Sequence, residues 1–261
     1  MKKINFNIKL NFKTGIFTFA SLLFLYLLYL SIPSLYDSGR VQKALYNNLV
    51  NNFGLNLSLS SDITYRILPR PHFYIKDSKI FDSENKVSNE IGEIKDVRVF
   101  IGQKNLLDKD NIKIEEVTLS KGNFFFNRKN LSFIKNLFKK EFSEKKIVIK
   151  KSKLFFNDNN DNIIFIYSID QMNFYKNKKE NNQQLRTKGN LFKVPIKFDW
   201  QRNLDNKNTI SNFKADRIDV DITNKGNYLD GEYTYENNIN LLTNSFRTNY
   251  KIIKNNIKFD S

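Results

Sequence analysis

The chain has 261 residues and a formal net charge of +16, with 24 Phe and 12 Tyr among its apolar residues. It has no cysteine, which excludes a disulfide framework and a thiolate metal site and leaves burial to hold the fold together. The basic residues are scattered along a sequence rich in Lys, Asn, Ile, Phe and Tyr. They therefore describe a solvated basic surface, weakly drawn to anionic lipid headgroups, and not a nucleic-acid site.

From Thr14 to Tyr36 there is no charged residue. At ~1.5 Å per residue this stretch makes roughly 34 Å of helix, enough to cross a ~30 Å hydrocarbon core. Tyr26 and Tyr29 lie toward its far end, where amphipathic rings favour the membrane interface. Lys2, Lys3, Lys9 and Lys13 precede it, while Asp37 and Arg40 follow it and cancel. The positive-inside rule therefore makes residues 1–13 a cytoplasmic tail, 14–36 the transmembrane anchor, and 37–261 a domain on the far side. A cleaved signal peptide has an apolar region of only ~7–15 residues and a small-x-small site. Ser31-Ile32-Pro33-Ser34 is a poor cleavage site, so the anchor is expected to stay uncleaved.

Residues 38–53 predict a short amphipathic helix: Val41, Leu45, Leu49 and Phe53 recur every four residues, and Gly54 is a natural stop. Its apolar stripe is expected to pack on the β domain. From Leu55 the period changes to two, through Leu55/Leu57/Leu59, Ile63/Tyr65/Ile67, Phe73/Ile75, Val97/Val99/Ile101, Ile112/Ile114, Ile147/Ile149 and Ile218/Val220/Ile222. Strict alternation predicts strands with one apolar and one wet face. Turns are expected at Asp158-Asn159-Asn160-Asp161, at Asn224-Lys225-Gly226-Asn227 and at Asp230-Gly231. A further helix is expected at about 131–142, where Leu131, Ile134, Leu137, Phe138 and Phe142 share a face.

The segment Ile75–Ile80 resembles Ile114–Leu119 and Ile149–Leu154, at spacings of 39 and 35 residues. A period of that size is what stacked supersecondary units produce, each unit here expected to be a strand, a two-polar corner and a strand added to a growing sheet. The expected fold is mainly β: an elongated, curved antiparallel sheet built as a trough, with one or two short helices after the anchor. Two helices cannot cover so long a sheet, so its apolar face must close into a sandwich core or remain as a lipid-lined trough. Periodicity leaves both open.

The run Ile63-Thr64-Tyr65-Arg66-Ile67-Leu68-Pro69-Arg70-Pro71-His72-Phe73-Tyr74-Ile75-Lys76-Asp77 resembles the N-terminal region of the AsmA family of bacterial envelope proteins. The order of parts is similar too: an anchor, a short helix closed by Phe53-Gly54, a strand pair, the Pro-x-Pro passage, then Ile94–Val99, Asn105-Leu106-Leu107 and Ile112–Val117. The likeness covers about residues 10–125 and thins toward Ser261. It implies a single-pass protein of the bacterial inner membrane, related to chorein-type bridge proteins, with its bulk in the periplasm. It further implies phospholipid as partner and a role in lipid transport to, or integrity of, the outer membrane. The alternative is a scaffold assisting outer-membrane assembly without carrying lipid. The chain is shorter than the longer members, so it is expected to be a small member or a fragment of a larger product. Self-association or an envelope partner at the C-terminal edge strand is also expected.

If the trough exists, its lining is expected to include Ile63, Tyr65, Ile67, Phe73, Ile75, Val97, Val99, Ile112, Ile114, Phe124, Phe126, Ile147, Ile149 and Phe156. Leu68, Pro69, Arg70 and Pro71 carry the family-like motif. Neither proline can donate to a ladder, so a bulge or crossing point between strands is expected there. Arg70 reads as a surface arginine, with a lipid phosphate as the sharper alternative. No nucleophile motif or phosphate-binding glycine loop occurs, and His72 is the single histidine. Asp216, Asp219 and Asp221 could gather a cation but are more simply solvent-facing. Neither enzymatic activity nor a cofactor or metal is expected.

Overall fold

In the computed structural model the described residues are 12–60, 62–81, 90–104, 106–108, 112–128, 138, 141–158, 160, 162–229, 232–253 and 256–260. The apolar run forms α1, Phe12–Ser31, and continues as a 3-10 turn, Ile32–Leu35, that carries Pro33. The stretch Lys13–Leu35 is long and apolar enough to cross a membrane. α2, Ser38–Phe53, begins where the Asp37 carboxylate accepts the Arg40 N–H at 2.9 Å. It ends at Gly54, whose φ of 64° is the left-handed conformation glycine adopts without a Cβ penalty. Val41, Leu45, Leu49 and Phe53 are the buried stripe, as the four-residue period predicts.

Among the described residues the strands that follow, fourteen in all, form one open sheet. In chain order these are β1 (Asn56–Ser58), β2 (Ile63–Arg66), β3 (His72–Phe81), β4 (Glu90–Ile101) and β5 (Ile114–Phe126). β6 (Lys146–Asn157), β7 (Ile163–Asn177), β8 (Asn182–Leu191), β9 (Val194–Asn203) and β10 (Thr209–Ala215) follow. β11 (Val220–Leu229), β12 (Glu232–Leu241), β13 (Asn244–Ile253) and β14 (Asn256–Asp260) complete it. Strands neighbour one another in chain order from β3 onward, β1 lies beyond β3, and β2 pairs β3 off the main path. The expected antiparallel pattern has one exception: β5 and β6 are parallel. Residues 127–145 connect them, and a parallel pair needs such a long crossover where an antiparallel pair needs only a hairpin.

Register separates the two faces along the whole sheet. Ile63, Ile75, Val97, Leu119, Ile149, Met172, Thr187, Phe198, Phe213, Ile222, Ile239 and Phe246 stand opposite one another on successive strands. Paired residues share a face, so this is one nearly unbroken apolar line, roughly 50 Å long at about 4.8 Å per strand. Beside it on the same face run Tyr65, Phe73, Val99, Val117, Ile147, Phe174, Leu185 and Trp200, continued by the polar Ser211, Asn224, Asn237 and Thr248. The opposite face carries Lys76, Asp96, Ser120, Lys150, Gln171, Lys188, Lys197, Lys214, Asp221, Asn240 and Ser245 in the same manner.

A crease crosses the first strands. Asp77, Lys121 and Lys151 have φ of 49°, 56° and 49°, and each lies inside a continuous strand. One left-handed residue shifts the side-chain alternation by one. The buried set therefore passes from Phe73 and Ile75 to Ser78 and Ile80, and from Val117 and Leu119 to Phe124 and Phe126. Ser152 stitches β6 to β5 here, its Oγ accepting the Gly122 N–H at 2.9 Å and donating to the Lys150 carbonyl at 2.8 Å. The expected strand-corner-strand units are thus long creased strands. Their structural equivalents are Ile75, Leu119 and Ile149, so the segment beginning at Ile114 is out of step with the other two.

Two other expectations change. Asn224–Asn227 is not a turn but lies within β11. Its Gly226 is needed for space, because a Cβ there would sit 2.5 Å from the ring of Tyr235 on the paired strand. Ile218 belongs to a 3-10 turn, Asp216–Ile218, that ends at left-handed Asp219. The Asp158 turn forms as expected, its carboxylate accepting the N–H groups of Asn160 and Asn162, both at 2.8 Å. Asn159, Asp161 and the Asp230-Gly231 turn lie outside the described residues, as does most of the helix expected at 131–142.

Candidate functional site: an apolar groove on one sheet face

The apolar face is covered unequally because α2 is short. Val41, Leu45, Leu49 and Phe53 pack with Leu57, Phe73, Ile75, Val97, Val99 and Val117 in one buried cluster over the first strands. Beyond the end of α2 the face opens into a groove of about 670 Å³, running from Phe53 and Gly54 across β5 to Phe213 on β10. Ile149, Leu154, Met172, Phe174, Ile196, Phe198 and Phe213 line it while only half-buried.

The expected lining residues divide into four sets. Phe124, Phe126, Ile147 and Ile149 line the groove. Phe73, Ile75, Val97 and Val99 are on the same face but lie in the packed core, with Ile63, Tyr65 and Ile67 against it. Ile112 and Ile114 are buried and border a separate recess beside Lys145 and Glu115. Phe156 pairs with Phe126 and stacks on Phe165 at 5.1 Å. The alternation did not single out the lining from β7 to β10, including Ile169, Met172, Leu185, Ile196, Phe198 and Phe213. The signal available was the spacing Met172/Phe174 and Ile196/Phe198, interrupted by Thr187 and Gly189, which breaks an apolar count.

Polar groups on this face are neutralised locally. Thr187, the one polar member of the long apolar line, exchanges a 2.7 Å hydrogen bond with the buried Tyr167 hydroxyl. Burial pushes the Tyr167 phenol up, so it stays neutral. Glu141 at the rim pairs with Lys176 at 3.0 Å. Phe138 and Phe142, which line the groove, meet Trp200 at 4.9 and 6.0 Å. Such a surface offers an apolar bed with its charges paired at the rim.

No known protein family and no curated protein matches this chain. The site is therefore read from its own geometry.

The motif residues form the β2–β3 connection at one end of the strands, and not a bulge within the ladder. The Leu68–Pro69 peptide is cis. Arg70 donates to the Glu116 carboxylate at 3.0 Å and lies 4.3 Å over the Phe100 ring, so its charge is already engaged. The Pro71 carbonyl accepts the Ile101 N–H at 3.1 Å. His72 is buried, its Nδ1 paired with the Arg70 carbonyl at 2.7 Å. Burial lowers its pKa, the hydrogen bond to Arg70 opposes this, and the guanidinium groups of Arg98, Arg66 and Arg70 add to the lowering. The Asp216 and Asp221 carboxylates pair with Lys197 and Lys214 at 2.7 and 2.9 Å. Among the described residues no group of three His, Asp or Glu gathers as a metal site.

Proposed function

We propose that this chain is a membrane-anchored trough that takes up phospholipid acyl chains along its apolar face and works by binding, without catalysis. In this reading α1 spans a bacterial inner membrane with the N-terminus inside. The sheet lies in the periplasm and serves lipid transport to, or integrity of, the outer membrane, as the AsmA-like passage implies. We include self-association through β14, which pairs with β13 on one side and, among the described residues, with nothing on the other.

The observation that carries the reading is the open apolar line. An unsealed apolar face of this extent marks a site for an apolar partner, and its length suits an acyl chain. From β5 to β10 the groove spans about 24 Å at ~4.8 Å per strand, longer than the ~15 Å of half a bilayer core that one acyl chain fills. Each methylene moved from water onto such a surface favours binding by about 0.8 kcal/mol.

Trp200 is the single tryptophan and touches two groove-lining rings. We expect phospholipids with brominated acyl chains to quench its fluorescence in the full-length chain. An unquenched Trp200 in a folded chain rejects the trough and leaves the scaffold.

A further inference from the structure

The end of the sheet where α1 arrives carries bare apolar side chains. β4 finishes at Ile101, and the chain turns through Gln103, Leu106 and Leu107 before β5. The β2–β3 connection leaves from the same end, since the Ile101 N–H donates to Pro71. Leu107 and Leu68 are 74% and 79% exposed, as bare as Phe17 of α1 at 74%. Leu35, at the close of the 3-10 turn, is bare as well.

The turn lies alongside α1, not above it. The Tyr26 hydroxyl donates to Gln103 Oε1 and the Tyr29 hydroxyl to the Gln103 carbonyl, both at 2.9 Å, and the Tyr36 hydroxyl donates to the Leu106 carbonyl. From Tyr26 the helix runs five more residues to Ser31, roughly 8 Å, and the 3-10 turn Ile32–Leu35 then leads to Tyr36. Gln103 is therefore held two to three turns back along the span. The exposed apolar surface of α1 includes Leu27 and Leu28, which lie between the two tyrosines that hold Gln103. A lipid layer deep enough to cover Leu28 also reaches Gln103, and the bare Leu107 follows four residues on. Tyr hydroxyls bonded to a polar turn belong at the headgroup boundary, and the exposed Lys104 beside Gln103 suits anionic headgroups there.

We propose that this end of the sheet is a second membrane contact: the turn at Gln103–Leu107 beds in the headgroup–acyl boundary of the leaflet where α1 emerges, with Leu107 inserted and Leu68 beside it. The proposal rests on α1 being a membrane span. It fixes how the trough meets the bilayer: the sheet stands with this end in the leaflet and cannot swing freely on a tether. Tyr65, whose hydroxyl donates to the Leu30 carbonyl at 2.6 Å, brings the first strands of the apolar face to the same level.

The absence of native cysteine makes single-site labelling direct. Leu22→Cys, Leu107→Cys and Lys188→Cys, the last on the polar face, would each carry an environment-sensitive fluorophore. The full chain is placed in vesicles of phosphatidylethanolamine and phosphatidylglycerol containing nitroxide-labelled acyl chains. We expect blue-shifted, quenched emission at positions 22 and 107 and aqueous, unquenched emission at 188. Quenching at 22 with aqueous emission at 107 overturns the second contact and leaves the anchor standing. Aqueous emission at 22 removes the span, and the proposal with it.

Discussion

Val97 and Ile149 occupy the same apolar line in different surroundings. Val97 is fully buried beneath α2, whereas Ile149 is half-buried over the groove. An Asp at Val97 places an unpaired charge in dry packing. We expect Val97→Asp to cost more than about 4 kcal/mol and to abolish the cooperative denaturant transition. An Asp at Ile149 can hydrate through the open groove. Ile149→Asp is expected to fold, with an unchanged circular dichroism spectrum, and to lose lipid quenching of Trp200. His72 supplies a pH test. Its folded pKa lies below the usual 6.5, so the folded chain resists the proton that the unfolded chain takes up. The associated stability is fully present above pH 6.5 and is lost as pH falls from there through the folded pKa. His72→Phe should flatten that part of the stability–pH curve, read from urea midpoints at stepped pH.

Among the elements, α2 has the largest leverage because it is the described helix that seals the sheet's first strands. Its amphipathic stripe and Gly54 stop were legible in sequence, since both are local. Its cap emerged only in the structure, where the Asp37 carboxylate satisfies an otherwise unpaired N–H at the start of the helix. Asp37→Ala is expected to lower stability by about 1 kcal/mol, measured as a shift in denaturant midpoint at constant slope. The crease was legible only in part: two-polar corners were expected at Lys76-Asp77 and Lys150-Lys151, but not the one at Lys121 or their alignment. Asp77, Lys121 and Lys151 are ordinary polar residues in alternating strands, and only their alignment across neighbouring strands turns three local kinks into one line. For the same reason Asn224–Asn227 read as a turn by composition, while its pairing with β10 and β12 on either side holds it extended.

At the scale of the whole molecule the sheet is a one-dimensional object. Thirteen strands lie along its main path, so its length is about 58 Å at ~4.8 Å per strand. Backbone groups along β14, at one end of that path, are a template for pairing with another strand. In the proposed self-association, light scattering of the detergent-solubilised full chain is expected to give a multiple of the 30.9 kDa protomer. Ile257→Pro, which removes a donor from β14, should return it to one copy. A wild-type chain that scatters as a single copy counts against edge pairing.

The sequence by itself determined the long apolar N-terminal helix, α2, the β class and the presence of two chemically opposite faces. Each is a periodicity or a charge-free run, and such patterns act within a few residues of chain. Tertiary structure decided where the apolar face is core and where it is groove. Ile75 and Ile149 lie in matching segments of similar sequence, yet α2 buries the first and leaves the second half-covered. It also decided the parallel join of β5 to β6 and the common crease, because register is set between strands distant in sequence. The groove exists because α2, at sixteen residues, ends long before the sheet does. Alternation along any one strand cannot encode that difference in length.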